Sequence, residues 1–145
     1  MTILDFNQSG ELPLGEHKAT MPQIQERFAT NPIRTSQFNG LTKAVTALAN
    51  AGCTTVWLDG SYVTQKAEPA DYDAAFDANG IDWIELGVAE PELLDFDAPR
   101  STQKRVYGGE LIPNIEGGVD FVAFFQANRN GEPKGILRID LTELS

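Results

Sequence analysis

At 145 residues, 41% of them apolar, the chain is long enough to bury a core and reads as one globular domain over 1–145. Its 21 acidic and 11 basic residues leave a net charge of −10, which argues against an extended nucleic-acid footprint, because phosphate backbones need clustered Lys and Arg. No apolar run approaches the roughly 18 residues of a membrane span, Met1 to Gly10 lacks the basic and apolar regions of a secretory signal, and Cys53 is the only cysteine, so no intrachain disulfide forms and a cytoplasmic location is expected.

Residues 1–19 carry Gly10, Pro13 and Gly15 and little periodicity, and read as an extended arm packed on the domain. Thr20-Met21-Pro22-Gln23 has the form of a capping box, predicting a short helix to about Phe28 that Asn31-Pro32 ends. Phe38, Leu41, Val45, Leu48 and Ala49 recur at spacings of three and four, the mark of one amphipathic helical face, with Gly52 placed to end the helix. Thr54 to Leu58 is β-branched and aromatic and reads as a strand. Asp71 to Asp77 reads as its antiparallel partner, followed by a turn at Asn79-Gly80. Ile81 to Leu86 fits strand or helix, and Pro91 to Leu94 fits one helical turn. Pro99 to Tyr107 reads as a helix ended by Gly108-Gly109. Val119 to Gln126 is predicted to be an apolar strand, 128–135 a polar loop with Arg129 at the surface, and Ile136 to Leu141 a final strand. The predicted class is α+β, a small mixed or antiparallel sheet flanked by helices and preceded by the arm.

The chemistry concentrates between Leu58 and Asp77. Asp71 and Asp73 stand two apart, so a strand presents both carboxylates on one face, an arrangement that suits Mg²⁺ or Mn²⁺. Gly60 lets a backbone N–H approach a phosphate closely, and the Ser61 hydroxyl can hydrogen-bond it. Phosphate donors beside a metal-binding carboxylate pair are the parts that phosphoryl or nucleotidyl transfer requires. Each part alone has a plainer reading: Gly-Ser as a turn, the aspartates as solvent-facing acids on an edge strand.

Gly60-Ser61, a gap of about ten residues, then Asp71-Tyr72-Asp73 between apolar residues resembles the signature of the DNA polymerase beta-type nucleotidyltransferase superfamily. A wider set is similar to a family of small, uncharacterised bacterial proteins of minimal nucleotidyltransferase type. It comprises Leu58 to Thr64, Pro69 to Asp73, Tyr107-Gly108-Gly109-Glu110, Phe124-Phe125-Gln126 and Pro133-Lys134-Gly135-Ile136. The resemblance implies a nucleoside triphosphate as ligand, Mg²⁺ or Mn²⁺ held by Asp71 and Asp73, and transfer of a nucleoside monophosphate to a hydroxyl. Related minimal proteins work with a protein partner, sometimes in toxin–antitoxin or phage-defence modules.

Active members of that superfamily use a third carboxylate on a later strand. In this chain the natural strand is Val119 to Gln126, which makes Asp120 the expected third acid, with Asp140 as the other candidate. Lys104 and Arg105 lie on the predicted helix after the aspartates. Lys104 is either a triphosphate contact or a solvated helix charge, and Lys134 is open in the same way. Trp57 and Trp83 fit either the core or base stacking, Phe121, Phe124 and Phe125 fit the core, and Cys53 reads as a buried structural thiol. The competing functional class is a catalytically impaired protein of the same fold whose acidic surface binds a partner protein.

Overall fold

The computed structural model describes residues 3, 5–97, 99–128 and 130–143; the surface reading of Arg129 and parts of the arm lie outside them. The architecture is a five-stranded mixed sheet with helices on both faces, in the order β1-β5-β2-β3-β4. The strands are β1 (Gly15–Lys18), β2 (Thr55–Asp59), β3 (Tyr72–Asp77), β4 (Gly109–Asn114) and β5 (Gly135–Asp140). β2 pairs antiparallel with both β3 and β5, while β1 with β5 and β3 with β4 are parallel.

Two helices form where local chemistry demands them. In α1 (Met21–Phe28) the Thr20 hydroxyl accepts from the Gln23 backbone N–H and Gln23 reaches back, a complete capping box. In α2 (Pro32–Asn50) the Asn31 side chain caps the first turn, and proline takes the first helical position, where no N–H is needed. Asn31-Pro32 therefore both ends α1 and starts α2. Gly52 follows at φ +95°, a conformation that favours glycine. Phe38, Leu41, Val45 and Leu48 of α2 are all buried in the larger core cluster, with Val56 and Leu58 of β2 in the same cluster. The ambiguous stretch after β3 resolves as α3 (Trp83–Ala89), capped by Asp82. α4 (Ser101–Tyr107) ends on Gly108 in the left-handed region.

Strand alternation sorts the sheet into two faces. Val56, Leu58, Tyr72, Ala74, Phe76, Leu111, Leu137 and Ile139 point into the larger cluster, which α1 to α4 cover. Trp57, Ala75, Ile112 and Ile136 belong to a smaller cluster on the other face, where Phe121, Val122 and Phe125 cover them. Both tryptophans pack: Trp57 here, its indole N–H donating to Glu16, and Trp83 against Phe76 and Phe96. Cys53 is buried, and burial pushes its thiol up to about 11.

Two expectations are corrected, and one strand is added. The stretch from Val119 to Gln126 is not a strand but carries the one-turn helix α5 (Phe121–Phe125), with Asp120 as its cap. Phe121, Val122 and Phe125 fall at spacings of one and four, which suits a helix lying on a sheet; short apolar runs do not distinguish the two states. The arm is not wholly irregular, because Gly15–Lys18 adds the edge strand β1. Gly109–Asn114 was not foreseen as a strand; it begins at the glycines that end α4 and extends the sheet beside β3. Among the described residues no helix is long and apolar enough to cross a membrane.

Candidate functional site

The register of three strands builds a row of acids. Asp59 closes β2 opposite Asp73 of β3, and Asp73 in turn lies level with Glu110 of β4. Neighbouring strands stand about 4.8 Å apart, so three carboxylates sit abreast on the α5 side of the sheet, at one end. Asp71 lies just before β3, outside the strand, and lines the same cleft as Asp73. Like charges directly opposite repel, so such a row is unfavourable without compensation.

Cations from outside the sheet compensate its flanks. Lys134 donates to Asp59 in a largely buried pair. Lys104 reaches from α4 to within 3.8 Å of Asp71 and 3.5 Å of Glu110, and Arg100 lies 3.4 Å from Glu110. Asp73, at the centre, is the acid of the group that has no ion pair among the described residues. Burial, followed by the charges of Asp71 and Asp59 and the hydrogen bond to Glu110, raises its carboxyl to about 7. Burial also raises Asp71, against Lys104, and Asp59, against Lys134. Asp73 is therefore the acid of the row whose negative charge a bound cation would favour.

The turn after β2 brings the phosphate-type donors to the same place. Gly60 has φ +87°, and a Cβ there would meet the Asp73 side chain at 2.9 Å and its backbone nitrogen at 3.1 Å. Glycine is needed both for the conformation and for the close approach. Ser61 opens a short 3₁₀ turn, Ser61–Val63. That loop is held from behind by Arg34, a buried α2 residue that no local motif marks. Its guanidinium donates to the carbonyls of Tyr62 (2.7 Å), Thr64 (2.8 Å) and Phe28 (3.3 Å), and also to Ser61 and Lys66. One arginine fork thus satisfies most of a loop that makes few backbone bonds of its own.

Gly60, Ser61, Asp71 and Asp73 all line one open cleft of ≈ 950 Å³, together with Asp59, Lys66, Lys134, Phe124 and Ala127. Of the residues singled out from sequence, Lys104 lies at the edge of this site rather than in its lining. Asp120 does not face the aspartates from a strand: it is exposed, and its carboxylate accepts from the Ala123 backbone N–H at 3.2 Å. Asp140 pairs with Thr55, at the far end of β2 from Asp59, and accepts from Thr142. Neither supplies the expected third acid. The positions in register are Glu110 and Asp59. Both lay in view within Tyr107-Gly108-Gly109-Glu110 and Leu58-Asp59-Gly60-Ser61, but without the β3–β4 pairing nothing marked Glu110 as a neighbour of Asp73.

The donor set is hard oxygen, as Mg²⁺ or Mn²⁺ requires. Among the described residues, however, no three His, Cys, Asp or Glu side chains are already arranged around a single ion position. A hard cation placed here would find at most two carboxylates, such as Asp71 and Asp73, and would need oxygens of a ligand or water for its remaining positions.

Neither the curated proteins nor the solved structures contain a match to this chain. Residues 4–140 match the model of a family of unknown function, DUF6932, and the chain belongs to that family.

Proposed function

We propose that this protein is a minimal nucleotidyltransferase-like domain that binds a nucleoside triphosphate with Mg²⁺ and transfers its nucleoside monophosphate to a hydroxyl acceptor. The observation that carries this reading is Asp73. A largely buried carboxylate, raised to about 7 by its neighbours and without an ion pair among the described residues, stands against a Gly-Ser turn in a cleft of nucleotide size. Asp71 and Asp73 would hold the metal. When bound, Mg²⁺ would neutralise charge on the phosphates and on the leaving pyrophosphate. Ser61 and the backbone N–H groups of its turn would bind phosphate oxygens, and Lys134 adds positive charge in the same cleft. Glu110, in register with Asp73, takes the part expected of Asp120. The acceptor oxygen bonds to the α-phosphorus, the bond to pyrophosphate breaks, and the hydroxyl proton passes to the Glu110 carboxylate.

A second reading is favoured by the ion pairs of Asp71 and Glu110 with Lys104. A row already neutralised by the protein's own lysine suits an impaired enzyme that acts by binding a protein partner. Calorimetric titration with Mg²⁺–nucleotide, followed by transfer of label from an α-labelled nucleotide, separates the two. Saturable binding abolished by Asp73→Asn, with label transfer, supports the enzyme. Binding without transfer to any hydroxyl acceptor supports the impaired protein. No nucleotide binding by the parent protein overturns the nucleotidyltransferase reading. A neighbouring gene for a DNA-binding or acceptor-binding partner would favour a toxin–antitoxin or phage-defence setting.

A further inference from the structure

The α5 side of the cleft contributes an apolar stretch, Ala123, Phe124 and Ala127, to a lining otherwise rich in polar groups. Phe121, Val122 and Phe125 turn toward the sheet, whereas Phe124 is 68% exposed and lines the cleft. Its ring is propped by Phe125, with centroids 6.3 Å apart and planes tilted by 54°. The neighbouring cleft residues Ala123 and Ala127 are small, so no bulky neighbour shields the ring within the lining. An aromatic ring exposed inside a concave site, beside polar groups, offers a flat apolar face to a ligand. The cleft thus combines carboxylates, Ser61 and Lys134 with a single aromatic ring in its lining.

We propose that Phe124 is the stacking platform for the base of the nucleotide, and that the site takes purine nucleoside triphosphates without distinguishing adenine from guanine. This rests on the nucleotide reading of the cleft. Stacking reads the face of a base and strengthens with ring area, so purines bind better than pyrimidines. Telling adenine from guanine needs free hydrogen-bonding groups aimed at the base edge. Of the two amides in the lining, Asn128 is engaged, its Oδ1 accepting from the backbone N–H of Asn130 (2.9 Å) and of Glu132 (3.0 Å) and its Nδ2 facing Glu11 at 3.4 Å, while Asn130 is exposed on its loop with its Nδ2 turned to Glu132 at 3.4 Å.

The test compares Mg²⁺ complexes of ATP, GTP, CTP and inorganic tripolyphosphate by calorimetry on the parent protein, Phe124→Ala and Phe124→Trp. Because Phe124 is exposed, Phe124→Ala should retain the fold. The expected result is that ATP and GTP bind alike, both more tightly than CTP. Phe124→Ala should weaken ATP about tenfold or more while leaving tripolyphosphate unchanged, and Phe124→Trp should restore ATP affinity. Parent-like ATP affinity in Phe124→Ala, or equal losses for ATP and tripolyphosphate, would overturn the base platform and leave the phosphate site standing. If the parent protein binds neither ATP nor tripolyphosphate, the nucleotide reading itself fails, and the platform fails with it.

Discussion

Asp73 gives the sharpest test of the site that needs no substrate. Its carboxyl stands at about 7 in the folded protein against an ordinary 3.8. That difference corresponds to roughly 4 kcal/mol of unfavourable ionisation, which screening in the open cleft reduces to about 2–4 kcal/mol. The folded state holds its proton more tightly than the unfolded state. Stability is therefore greatest below the ordinary carboxylate pKa, falls as pH rises through the window from about 4 to about 7, and levels off above it. Removing the charge in Asp73→Asn should remove the share of that fall that belongs to Asp73. In urea unfolding, the variant should exceed the parent protein by about 2–4 kcal/mol at about pH 8 and match it near pH 4. Asp59 and Asp71 titrate in the same direction, so the informative quantity is the difference between variant and parent. A divalent cation should act oppositely, stabilising the parent protein increasingly as pH rises and leaving the variant unchanged. If Asp73→Asn is less stable than the parent at about pH 8, or their difference does not vary with pH, the reasoning about the acid row is wrong.

Three further outcomes follow from particular contacts. Glu110→Gln should lower label transfer by about 10²-fold or more with nucleotide binding retained, whereas Asp120→Asn, which preserves a good helix cap, should leave transfer unchanged; the reverse pattern would restore Asp120 as the third acid. Gly40→Ala should destabilise by about 1–3 kcal/mol, despite the gain of about 1 kcal/mol that alanine brings to a helix interior, because its Cβ would sit 2.0 Å from the backbone oxygen of Tyr107; a thermal melt showing a gain would refute the close approach of α2 and α4. Arg34→Lys keeps the charge but not the fork, and should cost about 1–3 kcal/mol in urea unfolding by stranding carbonyls of the Ser61 loop; a neutral result would mean that the loop stands without it.

The chain's own order of residues determined whatever depends on near neighbours. The capping box at Thr20 and Gln23, the α2 stripe from Phe38 to Leu48 and the β2–β3 pairing around Gly60-Ser61 all express local backbone preference or a fixed side-chain period, so they could be read without the fold. The Asp71 to Asp77 strand was legible too, although β3 begins one residue later, at Tyr72, and leaves Asp71 just outside it. Three things required the tertiary structure. Val119 to Gln126 is apolar enough for a strand, and only the position of α5 against Trp57, Ala75, Ile112 and Ile136 makes it a helix. Glu110 becomes a neighbour of Asp73 only because β4 pairs parallel to β3, a contact between residues 37 positions apart in the numbering. Arg34 serves the site from α2 through carbonyls of a loop some thirty residues downstream. Strand order and long-range hydrogen bonds arise from how separate elements pack together, and no local periodicity records them.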